Sequence, residues 1–129
     1  MKRYSLCFLL LLCCINLAIA QSPVDLVIKA IEHSDAEKVS RNFDKIIDIT
    51  INKDQSTYSK SQGKVVLNNF FADNPVQTFA IKHKGSPADN NSVYLIGNLA
   101  TQNHKKYRVY LYFKDKSGTL YLQEIRFEQ

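Results

Sequence analysis

VYLIGNLATQNHKKYRVYLYFKDKSGTLYLQEIRFE, residues 93–128, alternates side chains with a period of two through three runs separated by turn-forming residues. Alternation of this kind, rich in Tyr, Val, Ile, Leu and Phe, predicts strands over 93–101, 106–114 and 119–128. The breaks Gln102-Asn103-His104-Lys105 and Asp115-Lys116-Ser117-Gly118 carry turn chemistry, and their brevity predicts antiparallel neighbours. The same period extends upstream over 76–84, across the polar break 85–91, so four strands end the chain.

Working towards the N-terminus, the period changes. Asn74-Pro75 ends a helix whose stripe is Val66, Leu67, Phe70 and Phe71, and whose start is the capping box Ser59-Lys60-Ser61-Gln62. Before it, Ile47, Ile49 and Ile51 alternate with Asp48, Thr50 and Asn52, which predicts a strand, with Ser56 to Tyr58 returning beside it. Ser34-Asp35-Ala36-Glu37 reads as a second capping box opening a short helix with Ala36, Val39 and Phe43 on one side. Ser22-Pro23-Val24-Asp25 opens a first helix with the stripe Val24, Val27, Ile28 and Ile31. The predicted order is α-α-β-β-α-β-β-β-β. This is an α+β domain in which three helices cover one face of a curved antiparallel sheet of about six strands.

Residues 1–20, MKRYSLCFLLLLCCINLAIA, read as a secretory signal peptide: Lys2 and Arg3 lead, an apolar stretch follows, and Ala18-Ile19-Ala20 is the small-x-small cleavage site. An uncleaved anchor needs about 20 apolar residues, more than this stretch offers. A lipoprotein needs a cysteine at the cleavage point, whereas Cys13 and Cys14 lie inside the apolar run. Residues 21–129 then form one domain that is exported, to the periplasm or beyond, with no membrane span in the mature chain. All three cysteines lie in the leader, so the domain has no disulfide, thiol nucleophile or thiolate metal site. The formal charge of +5 includes Lys2 and Arg3, and the other cations are scattered, which argues against nucleic acid.

The segments TYSKSQGKVVLNNFFADNP (57–75), KYRVYLYFK (106–114) and LQEIRFE (122–128) resemble those of a family of small secreted bacterial proteins known only as a domain of unknown function. That family resembles the nuclear transport factor 2-like, cystatin-like superfamily. The resemblance implies a cone-shaped pocket between helices and sheet, and a homodimer formed through the sheet. Some members of that superfamily run acid/base chemistry in the pocket, but no catalytic motif of theirs maps onto this chain, and fold alone does not imply activity.

Four-residue loops in the last two hairpins, pairing Thr101 with Lys106 and Lys114 with Thr119, sort the side chains onto two faces. The first carries Asn98, Tyr107, Glu124 and Arg126 among aliphatic residues, a candidate ligand pocket. Glu124 and Arg126 share a strand face, where they orient a polar ligand or form an ion pair. The second carries Leu95, Tyr110, Tyr112, Tyr121 and Phe127, a candidate dimer face, because helices can cover only one side of a sheet. A three-residue bulged loop would shift this register.

No catalytic residue, metal ligand set or cofactor is assigned. His33, near Glu32, Asp35 and Glu37, lacks a second histidine at zinc spacing and reads as a helix C-terminal residue. His104 falls in a turn, and His83 in a strand. Glycine-rich phosphate motifs and G-x-S-x-G are absent, and Asn90-Asn91-Ser92 is a bare sequon. Three functions follow from this reading. The first is a non-catalytic domain binding a small molecule, peptide or envelope partner; the second is a pocket enzyme using Glu124 or Asp48. The third is a structural or protein-interaction module, the expectation if Phe43, Phe70 and Phe71 fill the cone.

Overall fold

The computed structural model describes residues 21–87 and 91–129; the predicted leader and its cleavage site lie outside the described residues, as does the start of the sequon. Helix α1 (Pro23–Glu32) begins where the Ser22 hydroxyl accepts the Asp25 amide, and buries Val24, Val27, Ala30 and Ile31. Helix α2 (Ala36–Ser40) is capped by Asp35, one residue later than the sequence predicts. Ser34 instead takes a left-handed backbone, φ 55°, and its hydroxyl accepts the Val76 amide at 2.9 Å. Phe43, expected on this helix, opens strand β1 (Phe43–Ile51) and is buried there. A one-turn helix cannot continue past Arg41 without lifting that ring out of the core.

Strand β2 (Asp54–Ser59) returns through the two-residue turn Asn52-Lys53, with Asn52 at φ 55°. Helix α3 (Lys60–Asp73) has the predicted capping box: the Ser59 hydroxyl accepts the Gln62 amide while the Gln62 side chain accepts the Ser59 amide. Gly63 lets this helix lie on β1, since a Cβ there would stand 2.4 Å from Ile47 Cγ2. Strands β3 (Val76–Gly85), β4 (Ser92–Thr101), β5 (Lys106–Lys116) and β6 (Thr119–Glu128) complete a six-stranded sheet ordered β2-β1-β6-β5-β4-β3. All pairings are antiparallel except β1 with β6, which run parallel. Extra residues at Gln77, Lys82 and Gln123 interrupt the ladders and bend the sheet around the helices.

Both hairpin loops are shorter than four residues, and the three-residue one, an odd shift, re-sorts the faces. Thr101 pairs with Lys105 across a three-residue loop in which His104 takes φ 67°. Lys116 pairs with Thr119 across Ser117-Gly118, both at positive φ, a type I′ turn whose twist matches that of the strands. With the Gln123 bulge added, the helix-covered face becomes Leu95, Leu99, Tyr107, Val109, Leu111, Phe113, Leu122, Ile125 and Phe127, all buried. Glu124 and Arg126 move to the open face, and Leu95 and Phe127 leave it.

The bulge also makes a brace. Asp44, its side chain 9% exposed, binds Lys116 from the β5–β6 turn and accepts from Gln123 Nε2 at 2.9 Å and from the Lys45 amide at 2.7 Å. The Lys116 bond, followed by those from Gln123 and Lys45, outweighs burial and lowers the Asp44 pKa from 3.8 to about 2. A carboxylate more acidic in the folded state stabilises the fold above the unfolded pKa, and the contribution is lost as pH falls towards 2. Asp44→Asn is therefore expected to cost about 1–2 kcal/mol at pH 7 and almost nothing near pH 2. Urea unfolding at the two pH values checks this; equal losses at both would refute the brace.

Candidate functional site

The cone between helices and sheet is where the sequence places a ligand pocket, and its apex is filled. Phe70 from α3 stacks on Phe127 from β6, with centroids 4.1 Å apart and planes at 25°. Tyr107 meets Phe70 edge-on at 5.3 Å, and Phe71 closes against Phe70 at 5.8 Å. Phe43 is buried in the same cluster. The Tyr107 hydroxyl donates to Asn74 Oδ1 at 3.2 Å, and Asn74 Nδ2 in turn donates to the Phe70 carbonyl at 3.1 Å, so both cap the end of α3. Burial raises the Tyr107 pKa, which keeps it a proton donor to Asn74.

The four residues predicted for the pocket are thus divided. Tyr107 lies in the core, whereas Asn98, Glu124 and Arg126 lie on the open face of the sheet. Of the predicted dimer face, Tyr110, Tyr112 and Tyr121 occupy the open face; Leu95 and Phe127, 1% and 0% exposed, face the helices. The cause is the three-residue β4–β5 loop, which shifts β4 by one residue against β5, and the Gln123 bulge in β6.

What the structure gathers on the open face is a lattice of cross-strand neighbours. One row runs Thr57, Asp48, Glu124, Tyr112, Tyr94 and Gly85 from β2 to β3; the next runs Gln55, Thr50, Arg126, Tyr110, Ile96 and His83. Glu124 and Arg126 form an ion pair at 3.2 Å, and the guanidinium lies 5.2 Å from the Tyr110 ring centroid, a cation–π contact. Tyr94 lies nearly parallel to Tyr110 at 6.4 Å, its phenol end directly over Gly85, where a Cβ would come within 2.5 Å of the ring. Burial, then the Glu124 charge, raises the Tyr110 pKa, so this ring presents a neutral hydroxyl at physiological pH. The rings are thereby fixed in orientation while remaining half-exposed. Tyr94, placed on the other face by the sequence reading, is the residue that reading missed. The three-residue loop Gln102-Asn103-His104, with His104 at positive φ, puts it there by shifting β4 one residue against β5.

The remaining candidates have local explanations. The His33 Nδ1 bonds the Lys29 carbonyl at 2.8 Å, at the end of α1. Asp48 accepts from the Thr57 hydroxyl at 2.5 Å, and His83 and His104 are exposed. Among the described residues no three His, Cys, Asp or Glu side chains gather as a metal site, and no helix is long and apolar enough to cross a membrane.

Helices on one side of a strongly curved six-stranded sheet define the nuclear transport factor 2-like fold. A protein of that class and of unknown function from Shewanella oneidensis superposes with a TM-score of 0.64 at 9% identity, covering 83% of this chain and 93% of its own. The chain belongs to the family described as Domain of unknown function (DUF4783), whose model matches residues 24–128. Family members from Bacteroides ovatus and Bacteroides uniformis superpose with TM-scores of 0.75 and 0.76, at 23% and 21% identity. Each covers 81% of this chain, with 92% and 94% of their own lengths. No curated protein matches the sequence.

Proposed function

We propose that this chain is an exported, non-catalytic interaction domain that works through the tyrosine face of its sheet, with a second copy as partner. The observation that carries this reading is the exchange of roles between the two faces. Aromatic rings fill the cone where related folds are expected to hold a ligand, while Tyr94, Tyr110, Tyr112 and Tyr121 and the Glu124–Arg126 pair gather on the face that none of the described helices covers. Tyrosine and arginine are enriched at the centres of protein interfaces, where a ring contributes area with little loss of rotamer freedom. The same face carries Asp48, Glu124 and Glu128 beside Arg108, Lys114 and Arg126, so it holds both signs of charge that a copy rotated by a two-fold axis can pair. The leader supports export.

The acid/base alternative needs a carboxylate opposite a tyrosine in a closed cavity. Glu124 and Asp48 instead stand on the open face, and Tyr107 is bonded to Asn74. The interaction reading is tested with Tyr110→Glu, measured by analytical ultracentrifugation. The expected result is a self-association constant weakened at least about 30-fold, as for a hot-spot residue, with thermal stability retained. Unchanged association would refute a self-pairing role for this face.

A further inference from the structure

We infer that strand β2 is a second self-association site, at which two copies join edge to edge into one continuous sheet. The two edges of the sheet are built differently. Strand β3 is interrupted by extra residues at Gln77 and Lys82 and carries Lys82 and Lys84, devices that deter pairing. Strand β2 runs in unbroken register with β1 over Asp54–Ser59 and contains neither lysine nor proline. Beside it, Ser56, Thr57, Tyr58, Gln62, Val65 and Val66 line an open groove of about 570 Å³ between strand and helix α3. Val65 is 58% exposed on the helix side, and Ile46, paired with Ser59, is 61% exposed on the opposite side. Two large exposed aliphatic side chains thus flank the one unprotected edge.

The register of such a pairing follows from the turn. A two-residue hairpin loop makes Ile51 and Asp54 a hydrogen-bonded pair, so Asp54, Ser56 and Tyr58 direct their amides and carbonyls towards β1. Gln55 and Thr57 direct theirs outward, whereas the Ser59 amide is held by the Gln62 side chain in the cap of α3. An antiparallel copy uses those groups when Thr57 lies on the two-fold axis, which lets the two Thr57 residues exchange their amide–carbonyl bonds and sets Gln55 beside Ser59 of the second copy. This register sets Asp54 opposite Lys60 of the second copy, and the symmetry repeats the pair, giving two charge-complementary contacts at the ends of the junction. It also brings Tyr58 of the second copy beside Ser56, at the mouth of the groove. The alternative register, shifted by one residue, leaves the outward groups unmatched and sets Lys53 against Lys60. The complementarity favours a second copy as the occupant.

The test is a charge swap on the protein purified from the cells that make it, read by native mass spectrometry and by hydrogen exchange of the Gln55 and Thr57 amides. Asp54→Lys and Lys60→Asp, each on exposed side chains, are expected to weaken the edge contact about tenfold or more and to speed exchange at those amides. The double variant is expected to restore both. The Tyr110→Glu variant should leave these amides protected, which separates failure of this contact from failure of the tyrosine-face contact. Fast exchange at the Gln55 and Thr57 amides in the unaltered protein, no rescue in the double variant, or a co-purified foreign peptide protecting β2 would each overturn self-pairing at this edge.

Discussion

Phe127→Ala is expected to lower the stability of the domain by about 3–5 kcal/mol, the usual cost of deleting an aromatic ring from a core. Phe127 is 0% exposed and meets Phe70, Phe71 and Tyr107 at centroid distances of 4.1, 6.3 and 6.4 Å. Its removal leaves a cavity between β6 and α3 that rigid strands on one side and a capped helix on the other cannot collapse to fill. Phe70→Ala should cost a similar amount for the same reason, and the double variant less than the two losses together, because both delete one shared stack. Urea unfolding of the three variants measures this. Unchanged midpoints would mean that the rings do not close the cone, and the filled-pocket reading would fall with them. Conversely, the cavity left by Phe127→Ala is apolar, so it is expected to bind a small aromatic such as benzene, visible as a rise in the variant's melting temperature.

Gly97→Ala is expected to cost about 3 kcal/mol, the upper part of the range for overpacking. A Cβ at Gly97 would stand 2.7 Å from the Ala80 carbonyl oxygen and 2.9 Å from the Phe79 ring, between two registers of the β3–β4 pairing. The nearest obstacle is backbone, which cannot rotate away as a side chain would, so β3 must separate from β4 near the Lys82 bulge. The expected signature, besides the stability loss, is faster hydrogen exchange confined to the β3–β4 ladder. A neutral substitution would show that this edge yields freely and that the bulge does not set the curvature of the sheet.

Much of the architecture is legible in local sequence because each element carries its own signal. The Ser59–Gln62 capping box, the Leu67, Phe70 and Phe71 stripe and the alternation from Val76 onward depend on neighbours a few residues away, and all three appear where the sequence places them. The candidate sites were less legible because they depend on register. Moving a strand pairing by one residue exchanges the two faces: the bulge at Gln123 sufficed to send Glu124 and Arg126 outward and Phe127 inward, and the three-residue β4–β5 loop to send Asn98 outward and Leu95 inward. Phe43 shows the same limit on a smaller scale. Its spacing from Ala36 and Val39 is helical, yet burial in β1 is worth more than one additional helical turn.

By itself the sequence determined the order of elements, the caps of the first and third helices, the confinement of all cysteine to residues 1–20, and the presence of two apolar sheet surfaces where helices can cover only one. Tertiary structure decided which surface the helices cover, that the cone is filled by Phe70, Phe127 and Tyr107, that β1 joins β6 in parallel, and that β2 is the unprotected edge. The physical reason is range. Caps and periodicity are settled within one or two turns of chain, whereas the side to which a strand presents its residues is settled by packing and hydrogen bonding between segments up to about 80 residues apart, as in the bond from Gln123 to Asp44 that holds the bulge.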